Sequence, residues 1–295
     1  MCGPGDSSLW LDYWDTDEFF IGGRPGTYKL NKVGASIKVD SNDFAYYKTD
    51  QFKSFIEKAL PTVNRIYFTG GEPLINKKHY EILDFCIEHD IAKNITLEYN
   101  TNGTTLNKNL LDQWRHFAQV DICFSIDAMG PLANYIRYPS DWDTVYNNMK
   151  LVDDSDVYQI RCTTNCTVSI LNVMHLPEFF TWLYKQNFKK FKPHLGWNRA
   201  VFPTFLNVQI LPLETKKYIT NYYDNFIAES DIPGIKDQIY SIIEYMNQED
   251  KSSRLFESCL AISRQDKFRD QSIRDLLPWL ADIYDTNFKN GNKEI

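Results

Sequence analysis

From about residue 60, short apolar runs alternate with longer segments whose apolar residues recur every three or four positions. "NRIYFTG" (64–70) predicts a short buried strand, Ile-Tyr-Phe closed by a Gly-Gly turn. "NKKHYEILDFCIEHD" (76–90), with Ile82, Leu83, Phe85 and Cys86, predicts an amphipathic helix. "NITLEYN" (94–100) reads as the next strand, closed by "TNGT", and "LNKNLLDQWRHFA" (106–118) as a helix. "VDICFSID" (120–127) is again a strand, and "DWDTVYNNMKLVDD" (141–154) a helix that Asp141 is placed to cap. The β-branched run "VYQIRCTTNCTVSI" (157–170) continues the series, followed by a helix in "HLPEFFTWLYKQN" (175–187). Residues 192–211 read as strand and loop, and 213–290 as mostly helix, ending in the apolar stripe of "RDLLPWLADIYD".

Strand followed by helix at this spacing means βαβ units and a parallel sheet, so the expected class is α/β. Such a sheet presents its chemistry at the carboxyl ends of its strands. Four strands are clear and one or two weaker, too few for eight staves, so a partial, open barrel is expected. Residues 15–50 match no unit of the series and read as an inserted hairpin or long loop. The expected division is a core over 1–212 and a helical C-terminal extension over 213–295, the stripe packing across the open side or against a further domain.

Composition narrows the function classes. With 295 residues, 43% hydrophobic and 15% aromatic, the chain can bury a large core. A net charge of −7 argues against bulk nucleic-acid binding, which needs clustered cations against phosphate. No apolar run approaches the roughly 20 residues of a membrane helix. "MCGPGDSSLWLDYWD" lacks the basic start and apolar stretch of a signal peptide, so the cytoplasm is expected. The N-x-S/T matches at Asn94, Asn102 and Asn165 are then chance, and six scattered cysteines are reduced thiols or metal ligands rather than a disulfide framework.

The most informative stretch is "FTGGEPL", Phe68 to Leu74, at the end of the first strand of the series. Gly70 and Gly71 let backbone approach a ligand closely, since neither carries a Cβ. Glu72 presents a carboxylate suited to an ammonium group, and Pro73 stiffens the exit. A tight turn with an exposed glutamate is the alternative. A phosphate loop fits less well, because the carboxylate would repel the anion. The following strand tips bring Asn100, Asn102 and Gly103, then Ser125 and Asp127, then Ser169 and Asn172. Small hydroxyl, amide and carboxylate groups at successive tips suit a ribose and an amino-acid moiety, although each alone is an ordinary turn residue.

Other candidates weigh less. Cys86 and Cys123 fall on apolar patterns and read as core; "CTTNC", Cys162 to Cys166, lies inside a strand, and Cys259 stands alone in a helical region. His79, His89 and His116 fall on helices or their ends and read as surface groups, while His175 precedes a helix. His194, beside Trp197 and Arg199, reads as nearest a pocket mouth, with Arg137 and Tyr138 as further substrate-facing candidates against ordinary loop packing.

"TGGEP" after one strand, "NTNG" after the next and "SID" after the third resemble the radical S-adenosylmethionine enzymes, in particular those carrying twitch or SPASM domains. The resemblance covers roughly residues 1–212. It implies a partial (β/α)6 TIM-like barrel lacking its first strand, a [4Fe–4S] cluster and S-adenosyl-L-methionine. It further implies that Gly70, Gly71, Glu72 and Pro73 hold the cofactor's methionine amino group, with Asn102, Ser125 and Asp127 near its ribose and methionine parts. The family's cluster loop is Cys-x3-Cys-x-Φ-Cys, often followed by Gly-Pro and serines. "MCGPGDSS" then makes Cys2 the third, metal-binding cysteine and Met1 the apolar Φ residue, with the first strand and two cysteines missing upstream. One thiolate cannot hold the cluster, so this chain alone is expected to be inactive. In an intact protein the expected reaction is cleavage of the cofactor to a 5′-deoxyadenosyl radical that abstracts hydrogen from a small-molecule or peptide substrate, with an electron-donor protein as partner. The rivals are a cluster-less relic that still binds the cofactor, and an unrelated sugar- or phosphate-processing barrel in which "TGGEP" is only a turn.

Overall fold

The computed structural model describes residues 30–33, 36–39 and 49–289. The first two spans pair as an antiparallel hairpin, β1 (Leu30–Val33) and β2 (Ser36–Val39), with Val33 opposite Ser36. Next comes α1 (Asp50–Ala59), capped by the Thr49 hydroxyl, which accepts from the Phe52 N–H. This helix precedes the alternating series; Phe52, Phe55, Ile56 and Ala59 recur at helical spacing along it, yet none of its residues is fully buried.

The alternating region gives β3 (Arg65–Phe68), α2 (Lys77–Glu88), β4 (Thr96–Thr101), α3 (Lys108–Trp114) and β5 (Gln119–Ser125). Then follow α4 (Gly130–Ile136), α5 (Trp142–Asp153), β6 (Ile160–Val168), α6 (Leu176–Lys185) and β7 (Phe191–Arg199). Strands β3 to β7 form one open, parallel five-stranded sheet in sequential order. The register of the first pair sets Arg65 against Thr96 and Phe68 against Tyr99. The partial, unclosed α/β architecture agrees with the fold class expected from the sequence, and the C-terminal region is helical. Its elements are α7 (Leu213–Glu229), α8 (Ile235–Gln248), α9 (Leu255–Arg269), the single turn α10 (Ile273–Leu276) and α11 (Pro278–Lys289).

The described residues fall into two compact units, divided within β5 and β6: one reaches Cys123 and includes Lys150–Cys162, and the other comprises Phe124–Met149 and Thr163 onward. In the first unit, alternation along β4 buries Leu97, Tyr99 and Thr101 on one face and leaves Glu98 and Asn100 half-buried on the other. His79, Leu83 and Cys86, at helical spacing on α2, and Leu110 and Trp114 on α3 are buried. Asn76 and Asn107 cap these helices by accepting from the N–H groups of Lys78 and Leu110 at 3.0 and 2.9 Å. Strand β3 departs from the buried run expected of it: among the described residues it has one neighbouring strand, β4, and Tyr67 is 52% exposed.

In the second unit the core is built from Phe179 and Leu176 of α6, Ile219 and Tyr223 of α7, Ile239 and Met246 of α8, and Ile262 of α9. The buried Asn207 side chain donates to the Tyr245 hydroxyl, and Gln209 donates to the Tyr245 carbonyl, both at 2.9 Å, tying α8 to the segment after β7. A buried amide is tolerated only with its partners in place, and these two have them.

Candidate functional site

The chain leaves β3 through Gly70 and Gly71, whose φ angles of 82° and 43° lie in the left-handed region that glycine enters without strain. Both are exposed, and a Cβ at Gly70 would meet nothing within 4 Å, so this backbone is open to a ligand. Glu72 is half-buried and caps the turn Pro73–Ile75, accepting from the Leu74 N–H at 3.3 Å. Two further donors come from the tip of β4. The Thr101 hydroxyl reaches Oε1 at 2.8 Å and the Asn102 N–H reaches Oε2 at 2.7 Å. Three donors fix the orientation of this carboxylate.

The neighbouring turn is equally ordered. Asn102 Oδ1 accepts from the Thr104 N–H and hydroxyl at 2.8 and 2.7 Å, and Thr101 Oγ1 accepts from the Gly103 N–H at 3.0 Å. The Tyr80 hydroxyl donates to the Leu74 carbonyl at 2.7 Å; burial first, and then the Glu72 charge, raise the phenol's pKa. Beneath this loop the rings of Phe68 and Tyr99 stack at 5.1 Å, and His79 meets Phe68 edge-on at 4.8 Å.

His79 contradicts its surface assignment: it is 3% exposed, and burial lowers its pKa to about 4. Its place at the helix start hid the fact that it shares a face with Leu83 and Cys86. Trp114 donates to the Tyr99 hydroxyl at 3.2 Å, and that hydroxyl shares a hydrogen bond with His79 Nε2 at 2.9 Å. Nδ1 of the same ring is buried without a hydrogen-bond partner.

The second unit holds a separate polar centre. Asp127 is 7% exposed; its Oδ1 accepts from the Thr167 N–H at 2.7 Å and its Oδ2 pairs with Arg137 Nη2 at 2.9 Å. Asn172, fully buried, donates to the carbonyls of Asp127 and Thr167 at 2.8 and 3.0 Å and accepts from the Ser169 N–H at 2.8 Å. Ser169 and Asn172 are therefore not ligand-facing tips as the strand-end argument had them. They are interior braces, at 2% and 0% exposure. Arg137, expected near a substrate or in plain loop packing, pairs with Asp127 instead. Ser125 ends β5 half-buried.

Glu72 and Asn102 thus come together, through the Asn102 backbone rather than its side chain. Asp127 is engaged with Arg137 and Thr167. Thr101 escaped notice in the sequence. The signal lay in the alternation of β4, which puts it on the face of Leu97 and Tyr99 and so beside Glu72.

Residues 35–183 match the family described as the Radical SAM superfamily. The chain belongs to the radical SAM superfamily. Its members are enzymes that use a [4Fe–4S] cluster and S-adenosylmethionine. An uncharacterised protein of Methanocaldococcus jannaschii, MJ0907, is 27% identical over 121 residues, 40% of this chain and 42% of that protein. Among solved structures, histidine-tagged anSMEcpe with bound AdoMet is 16% identical at a TM-score of 0.44, covering 60% of this chain and 50% of that one. SuiB of Streptococcus suis bound to S-adenosylmethionine is 14% identical at 0.41, covering 62% and 41%. This radical SAM chain therefore spans about half or less of the length of the proteins it matches.

The loop fits the family's organic cofactor: an open glycine backbone beside a fixed carboxylate suits a ligand bearing an ammonium group. The described cysteines do not fit the cluster. Burial raises the thiol pKa of Cys86 and Cys259 to about 11 and that of Cys166 well above its usual value, so they are protonated core thiols. Among the described residues no three His, Cys, Asp or Glu side chains are grouped to hold a metal ion. Cys2 and Met1, the cluster-loop candidates, lie outside the described residues, as do most of residues 15–50. No helix of the described residues is long and apolar enough to cross a membrane.

Proposed function

We propose that this chain binds S-adenosyl-L-methionine at the Gly70–Pro73 loop as the cofactor-recognition part of a radical SAM enzyme. The observation that carries the reading is the Glu72 carboxylate, held by Thr101, Asn102 and Leu74 beside two exposed glycines. In this reading Glu72 accepts from the methionine ammonium, and the Gly70 and Gly71 backbone lies along the amino-acid portion. Pro73 fixes the start of the turn that Glu72 caps. Asn102, Ser125 and Asp127 serve the ribose and methionine parts. When bound, the family's [4Fe–4S] cluster supplies the electron that cleaves the cofactor to a 5′-deoxyadenosyl radical; Cys2 is the proposed ligand from this chain. The substrate is a small molecule or a peptide, and a reducing protein is the expected partner.

Equilibrium dialysis of the chain and its Glu72→Gln variant against S-adenosylmethionine tests the assignment. Loss of the charge should weaken binding about tenfold or more, since a charge-assisted hydrogen bond contributes on the order of 1.5–3 kcal/mol. Equal affinity, or no binding by the parent chain, overturns it.

The rival reading is a cofactor-binding relic without a cluster. Iron content after anaerobic reconstitution of this chain and of an upstream-extended one separates the two. About four irons on the extended chain supports the enzyme, and none on it supports the relic.

A further inference from the structure

The C-terminal helix α9 grips the short helix α4 from two sides. The Tyr135 hydroxyl donates to Asp266 Oδ1 at 2.6 Å, and Asp266 Oδ2 accepts from the Ile273 N–H at 2.8 Å. Arg269 donates from Nη1 to the Tyr135 carbonyl at 3.1 Å, while its guanidinium carbon lies 4.8 Å from the Tyr138 ring centroid. Tyr135 is 1% exposed, so its hydroxyl and carbonyl would lose partners that water does not readily replace, whereas the Tyr138 ring is 42% exposed.

Between the two gripped residues stands Arg137. Its N–H donates to the Ala133 carbonyl at 2.9 Å and its carbonyl accepts from the Ser140 N–H at 2.8 Å, so its backbone is fixed on both sides. Its side chain is anchored more sparsely. Nη2 meets Asp127 at 2.9 Å, and Nε is buried without a hydrogen-bond partner. A guanidinium with so few side-chain anchors takes its position from its backbone, and α9 touches the residues before and after it, at the Tyr135 hydroxyl and carbonyl and at the Tyr138 ring.

We infer that α9 sets the position of Asp127 through Arg137, and that Asp266 is a positioning residue for the β5 tip. The chain of contact runs from Asp266 to Tyr135, along the turn to Arg137, and across to the Asp127 carboxylate. Asp127 in turn accepts from the Thr167 N–H and, through its carbonyl, from Asn172, so a shift of Arg137 reaches the ends of both β5 and β6. The helical C-terminal segment is then part of the cofactor-recognition apparatus and not only a cover for apolar surface. The functional side of this inference rests on the proposed S-adenosylmethionine reading.

The test uses the full chain with two readouts, hydrogen exchange of the Ile126–Met129 amides and affinity for S-adenosylmethionine by equilibrium dialysis. Asp266→Asn and, separately, Tyr135→Phe should each speed exchange at these amides about tenfold and weaken affinity about fivefold, the change expected for one buried hydrogen bond. In an Arg137→Gln background, adding Asp266→Asn should change neither readout by more than about twofold, because the transmitting contact is already gone. A merely structural role for Asp266 would add its full effect there. Unchanged exchange in both single variants, or full additivity in the Arg137→Gln background, overturns the inference; Arg137→Lys serves as the background if the glutamine variant fails to fold. Glu72→Gln separates the two levels. If it leaves affinity unchanged the cofactor reading fails, while the exchange data still judge the link from α9 to Asp127.

Discussion

The hydroxyl of Thr101 donates to Oε1 of Glu72 at 2.8 Å, joining the tip of β4 to the loop that leaves β3. Twenty-nine positions apart in sequence, the two residues are brought together by the parallel register that sets Phe68 beside Tyr99.

Thr101→Val keeps the shape of the side chain and removes this donor, together with the acceptor for the Gly103 N–H. Loss of stability of about 1–2 kcal/mol is expected in urea unfolding, with weaker S-adenosylmethionine binding, whereas Thr101→Ser should restore most of both. An unaltered valine variant would show that Glu72 is held adequately by the backbone donors alone.

Arg137→Met removes the cation facing Asp127, a carboxylate only 7% exposed. An uncompensated buried charge should cost about 2–4 kcal/mol, a little below the usual range because the Thr167 N–H still binds Oδ1. The unfolding midpoint in urea reports it. A change under about 0.5 kcal/mol would place the pair among surface ion pairs of little consequence.

His79 predicts a pH dependence. Its pKa of about 4 in the folded chain lies below its ordinary 6.5. Above pH 6.5 the ring is neutral in folded and unfolded chains alike and contributes no slope. As pH falls from 6.5 toward about 4 the unfolded chain takes up a proton that the folded chain refuses, so stability declines, by roughly 3 kcal/mol at the bottom of the window. Chemical denaturation of wild type and His79→Leu at several pH values isolates this term. The variant should lose the part of the slope that His79 supplies, and parallel curves would refute the assignment.

The buried thiols give a covalent readout. Iodoacetamide at neutral pH should leave Cys86, Cys162 and Cys166 unmodified in the native protein and label them once it is unfolded, because all three sulfurs are enclosed and burial also raises the thiol pKa of Cys86 and Cys166. Peptide mapping before and after denaturation measures this, and native labelling at any of the three would contradict their burial.

The alternation of apolar residues made the β–α series legible, because burying Leu97 and Tyr99 on one face of β4, and Val120 and Ile122 on one face of β5, leaves a period-two trace. Helix α1 carries a helical trace in Phe52, Phe55, Ile56 and Ala59, but it stands before the alternating series and buries none of its residues fully. The Gly-Gly-Glu loop was legible because its chemistry is contiguous in the chain. The partners of Glu72 and Asp127 were not, because Thr101, Thr167 and Arg137 are brought in by strand register and by a turn. Polar residues near strand ends carry the same sequence signature whether they face a ligand or brace the interior. Asn172 had that signature and proved to be a brace.

The turn after β4 also bears on how this protein ages. Asn102 precedes Gly103, the dipeptide in which the glycine nitrogen most readily attacks the asparagine amide to form a succinimide and release ammonia. Here that nitrogen's proton is committed to Thr101 Oγ1, and the amide oxygen is held by the N–H and hydroxyl of Thr104. Folding thus locks the reactants of a spontaneous chemical clock, and each excursion to the unfolded state lets it run at the loop that touches Glu72.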